Sequence, residues 1–490
     1  MESHRILDMI SSPADLKLLT NEELSILASE IREQIITTTS KTGGHVAPSL
    51  GVVELILACH SVLDCPHDKL LFDVGHQSYA HKLVTGRLGE FDTLRQFGGM
   101  SGFPKASESE YDVHPSGHAS DSVSVALGLA MARDLNGGDE KIVTIIGDAS
   151  LSGGMAFEAL NQLGQLQTPM VIILNDNEMS ISRNVGALAR YLGEKRASRE
   201  YTRTRDSVQS VLEASGPLGR GLVDLGRNAK DSFKQMVIPG EMLFEKLGIT
   251  CTAPIPGHDI AALKRALRVC LEADGPTLLH VVTKKGKGYE PAEKNPSKFH
   301  GIGPYDIATG EVKKGSSSAP KYTSVFSKAI VAEAERDHDI VAITAAMKDG
   351  TGLAAFSEKF PKRFIDTGIA EEHAVALASG LALGGKKPVV CIYSTFMQRA
   401  FDQLVINNAL ANANVVFCLD RAGLVGDDGP THHGVFDIVY GRMVPGVRMM
   451  APSDEAELVH MLHTALALEG PVVLRWPRGE ARGVELPAVP

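Results

Sequence analysis

No two of the six cysteines are spaced Cys-x-x-Cys, and several sit in apolar runs such as Val390-Cys391-Ile392 and Phe417-Cys418-Leu419. A disulfide framework is therefore not indicated, and buried reduced thiols are the plain reading. There is no HExxH and no Cys/His set to suggest zinc, although His114 and His118 lie one helical turn apart in sequence. Nor does any apolar run approach the ~18 residues of a membrane span. The N-terminal MESHRILDMISS holds an acid and no apolar core, so no secretory leader is expected. A reducing, cytoplasmic setting is the resulting expectation. Positive charge is also short: 49 Lys and Arg face 59 Asp and Glu, a net −10. That argues against a nucleic-acid binder with a broad basic field, but leaves room for a local basic pocket. The phosphate loop GxxxxGK[ST] is missing. Gly219-Arg220-Gly221-Leu222-Val223-Asp224 starts like GxGxxG but fails at its sixth position and follows no strand.

The chain has 490 residues, 43% hydrophobic and 22% charged. That is an ordinary globular composition, long enough for two to four domains at roughly 100–200 residues each. Short β-branched runs alternate with longer helical patterns. Residues 142–146 (IVTII) and 170–174 (MVIIL) read as buried strands around a helix at 154–165, a βαβ unit. A polar, Arg- and Gly-rich stretch, 184–245, reads as a helical excursion. A helix at 259–272 and a strand at 277–282 follow. The Ser-, Lys- and Gly-rich segment 310–322 reads as a linker. A second series begins after it, with strands at 339–344, 388–393, 414–419 and 471–475. Helices are expected at 371–383 and 396–411. The expected fold is α/β: two doubly wound parallel-sheet domains, 1–315 and 322–490.

Ligands of such sheets bind at the carboxyl ends of the strands. The first βαβ unit ends its strands in Gly147-Asp148-Ala149-Ser150 and Asn175-Asp176-Asn177-Glu178. Asp148 and Asn177 therefore project toward one crevice. Mg²⁺ takes oxygen ligands and shares them with phosphate and water. A carboxylate, an amide oxygen and a backbone carbonyl at Met179 suit a diphosphate-bound Mg²⁺, with Ser150 and the following helix N-terminus facing the anion. A turn Asp and a capping Asn are the plainer reading of either piece alone. Their pairing across one βαβ unit favours the metal.

Four stretches carry a specific resemblance: Asp73-Val74-Gly75-His76-Gln77, Leu174 through Ser182 (LNDNEMSIS), Tyr393-Ser394-Thr395-Phe396 and Asp420-Arg421-Ala422-Gly423. With Gly147-Asp148 and Asn177, they resemble the 1-deoxy-D-xylulose-5-phosphate synthase family from about residue 5 to the end. The resemblance implies a transketolase-like fold, with a thiamine-diphosphate-binding domain over 1–315 and a pyrimidine-binding domain over 322–490. It implies a homodimer with thiamine diphosphate and Mg²⁺ as cofactors. The reaction implied is the condensation of pyruvate with glyceraldehyde 3-phosphate with loss of CO₂, feeding isoprenoid, thiamine and pyridoxal synthesis.

Thiamine chemistry needs a carboxyl group at the aminopyrimidine N1′. The resemblance assigns it to Glu371, whose pKa partial burial would raise. It implies cofactor contacts at His76, Gly117, His118, Ala119, Asp148, Ala149, Ser150, Asn177, Lys285, Tyr289 and Phe396. Proton handling falls to His45, His300 and His432. Tyr393, Arg399, Arg421, Asp428 and Arg478 are the implied substrate residues, since guanidinium forks match phosphate oxygens. Three features depart from the family pattern. Gly-Asp-Gly is Gly-Asp-Ala, which a negative φ at Ala149 would accommodate. Pro256 replaces a common acid. A third, C-terminal domain is expected to be absent. Two alternatives stay open: another transketolase-type transferase, or a catalytically impaired cofactor-binding fragment.

Overall fold

A computed structural model of the chain describes residues 5–177, 179, 185–197, 243–313 and 319–487. Most of the 184–245 excursion, the 219–224 stretch and residues 314–318 lie outside the described residues. The chain divides into two compact units, Met1–Lys313 and Lys314–Pro490.

The first unit is built on a parallel six-stranded sheet. Its strands are β1 (Lys69–Phe72), β2 (Ile142–Gly147), β3 (Val171–Asp176), β4 (Thr250–Cys251), β5 (Ile255–Pro256) and β6 (Thr277–Val282). The order is β1-β2-β3-β6-β4, with β5 also paired to β6. Successive side chains on a strand point to opposite faces, and here both faces are apolar. Val143, Ile145, Val171 and Ile173 join one core with the helices Asn21–Thr42, Val53–Val62 and Ile260–Leu271. Ile142, Ile146, Ile172 and Leu174 join the other with Ser122–Asn136 and Gly154–Leu166. Strands buried on both sides read as unbroken apolar runs, so the expected strands match to within one or two residues.

The second unit repeats the plan. Its strands are β7 (Ile340–Thr344), β8 (Phe364–Asp366), β9 (Lys387–Tyr393), β10 (Val416–Asp420), β11 (Arg448–Met450) and β12 (Val472–Arg475). They lie in the order β11-β12-β10-β9-β7-β8, all parallel. The helices Tyr322–Arg336 and Glu455–Ala467 cover one face. The helix Glu371–Leu383 falls on its expected residues and rests on β9.

One expectation fails. The single helix over 396–411 is instead a broken path: Ser394–Met397, a 3₁₀ turn at Gln398–Ala400, Phe401–Gln403 and a π-helical turn at Leu404–Ala409. At the π turn, buried Asn408 donates its amide to the Gln403 carbonyl (3.0 Å) and the Val375 carbonyl (3.2 Å). A side chain that takes a carbonyl inside the ladder displaces the regular i to i−4 bonding. The six cysteines are free thiols, five of them buried. Among the described residues no helix is long and apolar enough to cross a membrane.

Candidate active site

In the first unit, β2 and β3 align Gly147 with Asn175, and the Asp148 amide donates to the Asn175 carbonyl at 3.3 Å. The residues that follow the two strands therefore share one edge. The Asn175-Asp176-Asn177 run divides its labour. Asn175 Oδ1 accepts from the Thr283 hydroxyl (2.6 Å), and Asp176 meets the His280 ring at 2.9 Å, both buried against β6. Asn177 is half-buried and its Oδ1 accepts from the Met179 amide at 3.1 Å. Asp148 is 7% exposed, and its Oδ1 accepts from the Ala149 amide at 3.0 Å. Ala149 has φ −69, so the methyl that replaces a glycine hydrogen costs no backbone strain.

Lys285 is buried at this edge. Burial pulls its pKa down to about 8, while the negative charge of Asp148 opposes the shift. Its Nζ lies 3.0 Å from His300 Nδ1. Burial, and then the charges of Lys285, His76 and His45, hold His300 well below the ordinary histidine range. A neutral His300 accepts at Nδ1 from Lys285, which assigns its proton to Nε2. The rings of His45, His76 and His300 form one cluster, with centroids 5.0–6.2 Å apart, and Phe103 lies 5.2 Å from His45. Backbone contacts hold the cluster. The Tyr79 hydroxyl accepts from the His45 amide (3.0 Å), and the Ser49 hydroxyl donates to the His76 carbonyl (3.1 Å). Gly117, Ala119 and Ser150 are buried and His118 half-buried. Tyr289 is buried as well. Its hydroxyl donates to the Ile307 carbonyl (2.7 Å), and its ring lies among Phe299 and Tyr305. Pro256 sits in β5, its carbonyl accepting from Asp259.

In the second unit, Glu371 opens its helix and is 3% exposed. Burial raises its carboxyl pKa, although Arg399 stands 3.4 Å away and pulls the other way. Arg399, expected at the substrate, lies beside Glu371. Tyr393 ends β9, and Arg421 and Arg478 follow the carboxyl ends of β10 and β12. The Arg421 guanidinium lies 3.9 Å above the Tyr393 ring, and burial pushes the Tyr393 phenol up. Asp428 binds both Arg421 (3.6 Å) and Arg478 (3.2 Å), and Asp427 meets Arg478 at 3.5 Å. An incoming phosphate would therefore share these forks with carboxylates. His432 is buried, its Nδ1 lies 2.9 Å from the Thr431 hydroxyl, and its ring meets Phe396 edge-on at 5.5 Å.

Sequence reasoning passed over Asp427, Phe103 and Gly350. The acid pair between Gly426 and Gly429 was a visible signal. Gly350 had none: a Cβ there would lie 1.9 Å from the Tyr393 hydroxyl, a contact between distant segments.

Two parallel α/β units with their polar residues gathered at strand carboxyl ends define the transketolase-like class. A family model described as the transketolase pyrimidine binding domain matches residues 318–484. Residues 7–283 match the model described as 1-deoxy-D-xylulose-5-phosphate synthase. Curated proteins of that name are similar over nearly the whole chain. The one from Desulforudis audaxviator is 54% identical over 98% of this chain and 75% of its own length, and that from Syntrophomonas wolfei is 52% identical over the same shares. This chain belongs to the 1-deoxy-D-xylulose-5-phosphate synthase family of transketolase-type, thiamine-diphosphate-binding transferases. It spans about three-quarters of the length of these relatives. Among solved structures, transketolase from Leishmania mexicana is similar at 17% identity over 94% of this chain and 78% of that one, with a TM-score of 0.41.

Proposed function

We propose that this chain joins pyruvate to D-glyceraldehyde 3-phosphate with loss of CO₂, giving 1-deoxy-D-xylulose 5-phosphate, with thiamine diphosphate and Mg²⁺ bound. The observation that carries the reading is Glu371, a buried carboxyl with a raised pKa at the start of a helix in the pyrimidine-type unit. Bound thiamine diphosphate supplies a carbanion and an electron sink. The protein's residues bind, orient and move protons. Asp148, Asn177 and the Met179 carbonyl form an all-oxygen donor set that fits Mg²⁺, with Lys285 beside it to balance diphosphate charge. His76, Gly117, His118, Ala119, Ala149 and Ser150 line the diphosphate end. Glu371 donates its proton to N1′, and Phe396 and Tyr289 support the cofactor's rings. His45, His300 and His432 handle protons on the substrate side. Tyr393, Arg399, Arg421, Arg478 and Asp428 orient the triose phosphate, and Arg399 also tunes Glu371.

Several observations support the wider reading. Free buried thiols suit a cytoplasmic setting. Exposed apolar side chains in the second unit suit a homodimer. The deciding assay is CO₂ release from pyruvate with and without glyceraldehyde 3-phosphate. Release coupled to formation of the deoxy sugar phosphate is expected. Transfer from a ketose phosphate with no CO₂ would overturn the reading in favour of another transketolase-type reaction. Replacement of Asp148 by Ala should abolish magnesium-dependent thiamine-diphosphate binding in calorimetry, and unchanged affinity would remove the metal assignment.

A further inference from the structure

Asp73 follows β1 and is 1% exposed. Its carboxylate accepts the Ser120 amide on both oxygens (2.9 and 3.0 Å) and the Ser122 amide at 3.3 Å, and Ser120 in turn bonds the Ser150 backbone. Asp73 is thereby linked to two other segments, to one directly and to the other through Ser120. Ser120 comes directly after Gly117-His118-Ala119, and Ser150 directly after Asp148-Ala149. Asp73 itself precedes Val74-Gly75-His76. The buried carboxylate, together with the Ser120 it holds, thus ties together the three segments that carry the diphosphate-end residues.

Three further observations place strain and tight packing at this junction. The Ser120 hydroxyl donates to the Ser150 carbonyl (2.7 Å), and the Ser116 hydroxyl to the Phe72 carbonyl (3.1 Å). Val74 (φ 58) and Ser120 (φ 77) both hold left-handed backbone. That is costly for an L residue, above all a β-branched one, and persists only where surroundings over-determine it. There is also no slack: a Cβ on Gly153 would lie 2.2 Å from the Ser120 hydroxyl, and one on Gly75 2.4 Å from Pro104 and 2.7 Å from the Ser116 hydroxyl.

We infer that Asp73 is a positioning residue for the cofactor, holding the His76, His118 and Asp148 segments in the register that binds the diphosphate and its metal. The inference rests on the cofactor reading above. A plainer role exists, since the bond from the Ser122 amide caps the helix Ser122–Asn136. A cap alone would affect stability and leave cofactor affinity untouched. Groups that orient ligand-bearing segments instead affect affinity, by roughly 10- to 100-fold.

Two variants separate these roles. Asp73→Asn keeps the shape, but turns one acceptor into a donor that faces backbone N–H groups. Gly153→Ala keeps the Asp73 carboxylate itself and adds a methyl where the Ser120 hydroxyl lies, forcing Ser120 out of the position in which Asp73 holds it. Calorimetric titration of the full chain with thiamine diphosphate at saturating Mg²⁺ is the readout, beside the thermal midpoint of the cofactor-free protein. Both variants are expected to bind roughly 10- to 100-fold more weakly. Affinity within twofold of wild type in both overturns the inference, whatever happens to the midpoint. If Asp73→Asn does not fold, Gly153→Ala decides alone by the same criterion. Wild type that shows no magnesium-dependent binding defeats the cofactor reading itself, and the inference with it.

Discussion

Glu371 and Arg399 stand 3.4 Å apart, yet burial outweighs their attraction and the carboxyl titrates above its ordinary range. The sign of the linkage follows. An unfolded Glu titrates near ~4.3. From there up to the raised folded value, the folded state binds more protons, so stability falls as pH rises through that window and then levels off. Gln cannot titrate. The thermal midpoint of Glu371→Gln minus that of wild type should therefore grow as pH rises from ~4. Loss of the Arg399 partner adds only a constant offset, and a difference flat in pH would contradict the assignment. Lys285 gives the opposite case. Its folded pKa is lowered to about 8, against ~10.4 unfolded. Across that window the unfolded chain binds more protons and stability rises with pH. The midpoint difference between Lys285→Met and wild type should be largest below pH ~8 and shrink toward pH ~10. The Glu371 shift was expected from the sequence, and the Lys285 shift was not. In Lys284-Lys285-Gly286-Lys287 three lysines compete, and only the fold buries Lys285 while leaving Lys284 exposed.

Elements were legible where one local signal dominated. β2, β3, β6, β9 and β10 are buried on both faces, so their apolar runs announce them. The stretch 396–411 was not, because the bond of its buried Asn408 to Val375 ties it to another helix. Gly164, in the helix Gly154–Leu166, sets local and tertiary rules against each other. By propensity, Gly to Ala inside a helix gains about 1 kcal/mol. Here, though, a Cβ would lie 1.7 Å from the Leu247 carbonyl oxygen, a backbone atom that cannot swing away. Overpacking of this kind costs about 1–3 kcal/mol, so packing wins. Gly164→Ala should lower stability in urea titration by up to about 2 kcal/mol once the propensity gain is subtracted. A stabilised variant would show that the segment carrying Leu247 yields freely.

At the scale of the molecule, composition excluded much but assigned little, since a net charge of −10 says nothing about which surface meets a partner. The apolar side chains the single chain leaves in solvent are more informative. Within the second unit Leu424 is 75% exposed, Phe436 58%, Val439 59% and Met443 68%. All four fall within one stretch that also carries Asp428 and His432. The unit's main core is built from other residues, so this stretch is not needed to close it. Solvent-facing apolar groups in one stretch are a candidate for the proposed homodimer contact. Charged replacements there remove apolar area without opening a cavity, and surface substitutions of that kind usually alter folding stability by less than about 0.5 kcal/mol. The double variant Val439→Lys, Met443→Lys should therefore keep the wild-type thermal midpoint at high dilution, while sedimentation equilibrium shifts from dimer toward monomer. Two lysines facing their symmetry copies would also repel, so the shift should weaken as salt is raised. A dimer constant unchanged at low salt would place the homodimer contact elsewhere on the chain.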